Sequence, residues 1–324
     1  MGEIGKLELS YDRDVGGAPR EMIAKFATTD PELREMVRPA RLFEREHRFY
    51  EILADKTPLR TPATYHITCN PSDDSDVSEE YLLLMEDLGH LTIGDQVAGV
   101  TPEHAATALR GLARHHAHFW NRAGLEGVSF APDINGPLNQ PGRSIYEASF
   151  GEFMDAFGGT LDATMVRVAA AWPHSYPAIL DRLFEMPTTL VHCDFRADNL
   201  FFDDSDSENG FVAVIDWQGI SQGGAASDVG YFLSQSLSIE DRRAHEEDLL
   251  RGYHDGLTSG GVSGYSFEQL RDDYRVGIIY GWIIPVLAVG SLDFTSERAV
   301  RLWTNVIERA QDAILHHNAQ QFIS

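Results

Sequence analysis

Four short runs in the first ninety residues, KLELSY, EMIAKF, ATYHIT and YLLLME, have the β-branched or alternating character of strands with one buried face, and Gly16-Gly17 supplies a turn between the first two. Between the second and third the period becomes helical. That helix opens at Asp30-Pro31, where Asp caps and Pro is tolerated at the first helical position, and the spacing carries it to about Ala54. After Thr92 almost everything reads as helix. Thr101-Pro102-Glu103 caps a helix reaching about Arg122, and further helices are expected over Ile145 to Phe157, Leu161 to Phe184, Ala226 to Leu237, Ile239 to Leu257 and Phe267 to Ile323, the last broken at least once. One stretch interrupts them: LVHCDFRADNLFFDDSDSENGFVAVIDWQ reads as strand, loop, strand, turn, strand, with the acidic turn Asp203 to Gly210 closing a hairpin. The contrast predicts an α+β chain with a small N-terminal unit over 1–88 and a larger, mainly helical unit over 89–324.

The uncharged run from Val276 to Leu292 is the only stretch that approaches a membrane span, which needs about 20 apolar residues. Three glycines and Pro285 break it, and no basic cluster flanks it, so a buried helix is expected. Asp73 to Glu80 reads as a solvated acidic turn rather than a metal site. A formal net charge of −24 argues against nucleic acid and anionic membrane as partners, because both are bound by neutralising phosphates. Two cysteines, Cys69 and Cys193, are too few for a disulfide framework and fit a reducing cytoplasm.

The chemistry concentrates in His192-x-Asp194-x-x-x-x-Asn199, followed by the hairpin and then Asp216. Phosphoryl transfer needs a carboxylate to orient an acceptor hydroxyl and take its proton, together with oxygen ligands that hold Mg²⁺ against nucleotide phosphates. Asp194 suits the first role, while Asn199 and Asp216 suit the second, since Mg²⁺ prefers hard oxygen donors. His192 would brace the loop. Any one of these residues alone reads as turn chemistry or a satisfied interior histidine; the ordered set beside the apolar runs LFF and FVAVI points to function. A second pair agrees. On the helix after Asp30, Glu46 falls on the apolar stripe of Leu42, Phe49, Tyr50 and Leu53, where a carboxylate needs a partner, and Lys25 on EMIAKF is the natural one.

VHCDFRADNLFF, VIDWQ, SDVGYFL, REHRFYEIL, LLLMEDLG and GLARHHAHFW together resemble the aminoglycoside phosphotransferase and choline kinase superfamily, and its ecdysteroid-kinase-like branch most of all. The resemblance spans about Lys6 to Leu237. It implies a two-lobed protein-kinase-like fold that binds ATP and Mg²⁺ in the cleft and phosphorylates a small hydroxylated molecule. Asp194 would be the catalytic aspartate, Asn199 and Asp216 the magnesium ligands, and Lys25 with Glu46 the phosphate-positioning ion pair. Glu86 to Leu88 would form the hinge that meets adenine through backbone groups, and Asp228 would support the catalytic loop. Two departures stand out. Cys193 occupies a position where relatives usually carry Gly, a change expected to be tolerated if its side chain need not face the phosphates. Met1-Gly2-Glu3 aligns inside the glycine-rich loop, so the first strand and part of that loop are expected to be missing.

Three other readings compete. Gly219-Ile220-Ser221-Gln222-Gly223 matches the G-x-S-x-G elbow of serine hydrolases, but Asp216-Trp217-Gln218 separates it from its strand. A pseudokinase or binding module would follow from an incomplete glycine-rich loop. His115 and His118 share a helical face without a third ligand at metal-site spacing, which favours packing. Trp282 and Trp303 are expected either as an apolar acceptor wall or as core.

Overall fold

The structure is a computed structural model that describes residues 2–13, 16–70, 80–205, 210, 212–289 and 296–323. Strands β1 (Gly2–Glu8) and β2 (Glu21–Ala27) pair antiparallel across the turn that contains Gly16-Gly17, in a register that sets Ile4 opposite Lys25. The long helix expected after Asp30 is two helices, α1 (Pro31–Val37) and α2 (Leu42–Ile52), separated by a 3₁₀ turn over Arg38–Ala40. Asp30 does cap α1, accepting from the N–H groups of Glu32 and Leu33. The break comes at Pro39, which lacks the N–H that a continuous helix needs, and Arg41 follows in a left-handed conformation with φ 53°. Strands β3 (Thr64–Asn70) and β4 (Glu80–Glu86) complete a sheet ordered β1-β2-β4-β3 among the described residues. The acidic segment before β4 falls, apart from Glu80, outside the described residues.

The second lobe begins with a two-residue strand β5 (Thr92–Ile93) and then α3 (Pro102–His118), which Thr101 caps through His104 N–H. Helices α4 (Pro141–Phe157) and α5 (Ala163–Glu185) lead to β6 (Thr188–Val191), β7 (Leu200–Phe202), β8 (Val212–Val214) and β9 (Ser221–Gly224). The expected hairpin is β7 against β8, with β5 on its outer side, and β6 pairs with β9 as a separate ribbon. Residues 206–209 and 211 of its turn lie outside the described residues. The remaining helices are α6 (Ala226–Ser236), α7 (Ile239–Ser259), α8 (Phe267–Gly281), α9 (Ile283–Val289) and α10 (Glu297–His316).

The uncharged run around Pro285 is split between α8 and α9 at Trp282, and no described helix is long and apolar enough to cross a membrane. The architecture is a two-lobed kinase-like fold, with a small antiparallel-sheet lobe and a larger helical lobe. The helical lobe is organised around α6, every residue of which is buried. It lies directly on α8 because glycines face each other there: a Cβ on Gly277 would sit 1.8 Å from the Ala226 carbonyl oxygen, and one on Gly230 would sit 2.3 Å from Gly277. Trp282 and Trp303 are 0% and 5% exposed, so both belong to the core. The lobes are stitched at several points, among them the Val214 N–H, which donates to the Arg60 carbonyl at 3.0 Å.

Candidate active site

The sheet lobe contributes a buried cation. Lys25 on β2 points toward α2, where its Nζ lies 2.8 Å from Glu46 Oε2, and it also lies 2.9 Å from Asp216 Oδ1 of the helical lobe. Tyr81 on β4 donates to the same oxygen, Glu46 Oε2, at 2.8 Å, and Lys25 Nζ also reaches Oε1 at 2.9 Å. Burial works to lower the Lys25 pKa, but the charges of Glu46 and Asp216 outweigh it and hold the ammonium well above its ordinary range. Burial pushes the Glu46 carboxyl up. Asp216 ends below its ordinary value because Lys25 overcomes the burial that would raise it. The three form one charge network that no single residue could sustain at this depth.

Asp194 and Asn199 make the second half of the site. Asn199 Nδ2 donates to the Asp194 carbonyl at 2.9 Å and to its carboxylate Oδ2 at 3.0 Å, while the Ile215 N–H donates to the Asn199 carbonyl at 3.1 Å. That last bond puts Asn199 next to the residue preceding Asp216, so the hairpin brings the two together although it separates them in sequence. Burial raises the Asp194 carboxyl, with the Arg196 guanidinium opposing and Asp216 adding to the rise. Arg196 Nε stands 3.4 Å from Asp194 Oδ1, and Tyr231 of α6 donates to the same oxygen at 3.2 Å. Sequence reasoning did not find Arg196, Tyr231 or Tyr81. A cation two residues after Asp194 was a visible signal; the two tyrosines carry none, since only the packing of α6 and β4 aims them.

Asp228 braces the loop from below. Its two carboxylate oxygens accept the N–H groups of His192 and Cys193, each at 2.8 Å, and His116 Nε2 lies 3.2 Å from Oδ2. His192 serves as a strut: Nε2 reaches the Ile215 carbonyl at 3.0 Å and Nδ1 accepts the Asp194 N–H at 3.2 Å. Two non-glycine residues here adopt left-handed backbone, Cys193 at φ 63° and Asp216 at φ 66°. The Cys193 conformation accounts for the glycine expected at that position. Its thiol interacts with the hydroxyls of Ser221 and Tyr280, and burial pushes its pKa up to about 12. The twist at Asp216 is held by Trp217, which stacks on Phe49 of α2 with ring centroids 3.9 Å apart.

Other expected residues lie elsewhere. The Glu86 carboxylate is engaged by Arg60 and by the Ala63 N–H, and the Asp87 carboxylate by Lys6 at 2.9 Å and by the Gly89 N–H at 2.8 Å. Ser221 is 1% exposed and lies in β9, not at a strand-to-helix turn, so the hydrolase elbow is not formed. His115 is a buried connector between Thr57 Oγ1 at 2.7 Å and the Leu190 carbonyl at 2.9 Å. As a metal site the Asn199–Asp216 pair fits Mg²⁺, which takes one or two hard oxygen side chains and completes its shell with phosphates and water.

A model of the ecdysteroid kinase-like family matches residues 1–260. An uncharacterised kinase-like protein of Caenorhabditis elegans is 33% identical over 92 residues, which cover 28% of this chain and 24% of that protein. The matched stretch is thus about a quarter of that relative's length. Among solved structures, a microcompartment-associated aminopropanol kinase superposes with a TM-score of 0.56 at 16% identity, over 99% of this chain and 94% of that one. A Ralstonia eutropha protein described as a candidate aminoglycoside phosphotransferase superposes with a TM-score of 0.53, also at 16% identity, over 98% and 93% of the two chains.

Proposed function

Since the chain belongs to the ecdysteroid kinase-like family, we propose that it moves the γ-phosphate of Mg-ATP to a hydroxyl of a small molecule. The observation that carries this reading is that Lys25, Glu46 and Asp216 form one network and that Ile215, the neighbour of Asp216, donates to Asn199, which donates to Asp194; a cation, oxygen donors and a carboxylate are what phosphoryl transfer needs. Asp194 orients the acceptor hydroxyl and takes its proton as the oxygen attacks the γ-phosphorus and the bond to the β,γ-bridging oxygen breaks, releasing ADP. A carboxylate with raised proton affinity is the better base for this task. Lys25, aimed by Glu46, directs its ammonium at the α- and β-phosphates. Asn199, with its amide nitrogen turned to Asp194, offers Oδ1 to the metal, and Asp216 offers its carboxylate. Mg²⁺, when bound, neutralises the charge of the phosphates. The backbone of Glu86 to Leu88 meets adenine at the boundary between a nucleotide-binding lobe, 1–88, and a catalytic and acceptor-binding lobe, 89–324. Two cysteines, Cys69 and Cys193, with no disulfide between them suit a reducing cytoplasm.

The test is ADP release with Mg-ATP across hydroxylated acceptors. The panel includes aminopropanol and an aminoglycoside, after the similar solved structures, and an ecdysteroid, after the family. Turnover is expected with at least one acceptor, and Asp194→Asn should reduce it at least about 100-fold, the lower end of what a general base contributes. Nucleotide-dependent thermal stabilisation should survive that substitution. Substantial turnover in Asp194→Asn, or no stabilisation of the wild type by Mg-ATP, would overturn the reading.

A further inference from the structure

Behind α2, on the side away from Lys25, a cavity of about 260 Å³ is lined by four basic side chains, Arg41, Arg45, Arg48 and Lys56, and by the loop around Gly124 and Gly127. In a chain with net charge −24, this concentration of cations runs against the composition. Glu44 and Glu126 also line the cavity; Arg41 is paired with Glu44 at 2.6 Å and Arg48 with Glu51 at 2.5 Å, which leaves Arg45 and Lys56 without a carboxylate partner among the described residues.

Arg45 is the telling member. It is 2% exposed, and its guanidinium donates only to neutral groups, Asn139 Oδ1 at 3.0 Å and the Leu138 carbonyl at 3.1 Å. Its Nε is buried with no partner. Burial drives the Arg45 pKa down to about 10, with nearby groups opposing only in part. A buried guanidinium with no carboxylate is a costly arrangement unless an anion completes it. The start of α2 adds to the demand for negative charge: Arg41 at its N-cap provides no side-chain cap, so the first-turn N–H groups and the helix dipole favour an anion. The volume is below the range of drug-sized pockets, which suits a small, highly charged group.

We propose that this cavity binds a phosphate group, either inorganic phosphate or the phosphoryl end of a small phosphomonoester, at a site separate from the nucleotide cleft. The guanidinium fork matches phosphate oxygens, and several cations around one concavity favour a dianion over a monocarboxylate. The proposal does not depend on phosphotransfer. It does place the occupant on the helix that carries Glu46, one residue from Arg45.

The experiment is calorimetric titration of inorganic phosphate into the full chain at constant ionic strength, with and without saturating Mg-AMP-PNP. Glycerol 3-phosphate and acetate serve as parallel titrants. Phosphate binding is expected in both conditions, and Arg48→Ala/Lys56→Ala should weaken it about 100-fold, about tenfold for each cation removed. Both residues reach the surface, so the variant should fold, which its circular dichroism spectrum checks. Whichever of phosphate and glycerol 3-phosphate binds more tightly identifies the source. Absence of phosphate binding, displacement by the nucleotide, an unchanged affinity in the double variant, or tighter binding of acetate would each overturn the assignment.

Discussion

Replacing Lys25 by Met removes the one cation that two carboxylates share. The Lys25 and Glu46 side chains are 6% and 1% exposed, and the Asp216 side chain is 25% exposed, so the network is largely shielded from water. Breaking a buried ion pair by deleting one partner costs about 3–5 kcal/mol, because the other charge stays behind uncompensated. Here two charges stay behind, within about 6 Å of each other, and they repel. Lys25→Met should therefore cost about 3–5 kcal/mol at pH 8. The pH dependence has a definite sign. Burial already raises the Glu46 carboxyl, and losing Lys25 raises it further, so the folded variant binds more protons than its unfolded chain. Stability then falls as pH rises through the raised value, and the penalty relative to wild type shrinks toward pH 5. Adding Glu46→Gln, which keeps the shape and discards the charge, should recover part of the loss. Urea unfolding followed by tryptophan fluorescence at pH 5, 6.5 and 8 measures all three variants. A penalty below about 1 kcal/mol at pH 8, or one that grows toward pH 5, would refute the charge network as its origin.

Asp216→Asn leaves the Lys25–Glu46 pair in place, so the fold should hold while Mg²⁺-dependent nucleotide affinity drops at least about tenfold; an unchanged magnesium titration would count against Asp216 as a ligand. Asp228→Ala strands the N–H groups of His192 and Cys193 and removes the partner of His116 in a fully buried setting, which should cost about 3–5 kcal/mol, read as a lowered urea midpoint. Cys193→Gly relieves a left-handed backbone worth about 1 kcal/mol but gives up side-chain packing and adds unfolded-state entropy. Its stability should stay within about 1 kcal/mol of wild type, and a loss above about 3 kcal/mol would show that the thiol contacts dominate. Ser221→Ala should leave turnover within about twofold, since Ser221 Oγ donates to the Gly219 carbonyl at 3.1 Å, accepts from Asn139 Nδ2 at 3.3 Å and meets the Cys193 thiol, none of which is a reacting group in the proposed step.

Most of the framework was legible because its signals are local. Strand alternation, the caps at Asp30 and Thr101 and the hairpin around β7 and β8 each follow from a few neighbouring residues. The same period analysis placed Glu46 on an apolar stripe and so paired it with Lys25, which the structure reproduces at 2.8 Å. What escaped depends on distant chain. β9 is four residues, SQGG, with none of the β-branched or aromatic character that marks a strand, and it exists because β6 offers a partner edge. Its last glycine is required by tertiary contact alone: a Cβ on Gly224 would lie 2.6 Å from Met186 Sδ. β5 is too short for any pattern, and the break between α1 and α2 is hidden because the helical period continues across Pro39. Tyr231 and Tyr81 reach Asp194 and Glu46 from elements whose sequences say only that they are buried.

Several contacts of the site meet at α2. Glu46 on one turn fixes Lys25; Phe49 one turn later stacks on Trp217 and so steadies the left-handed backbone of Asp216. Arg45 reaches the other way, to Asn139, whose Nδ2 lies 3.3 Å from Ser221 Oγ, and Ser221 in turn contacts the Cys193 thiol beside Asp194. A single eleven-residue helix therefore reaches Lys25 directly, and the neighbourhoods of Asp216 and Cys193 through Trp217, Asn139 and Ser221. On this geometry α2 is the element that ties the Lys25–Glu46 pair of the sheet lobe to the segments that carry Asp194 and Asp216.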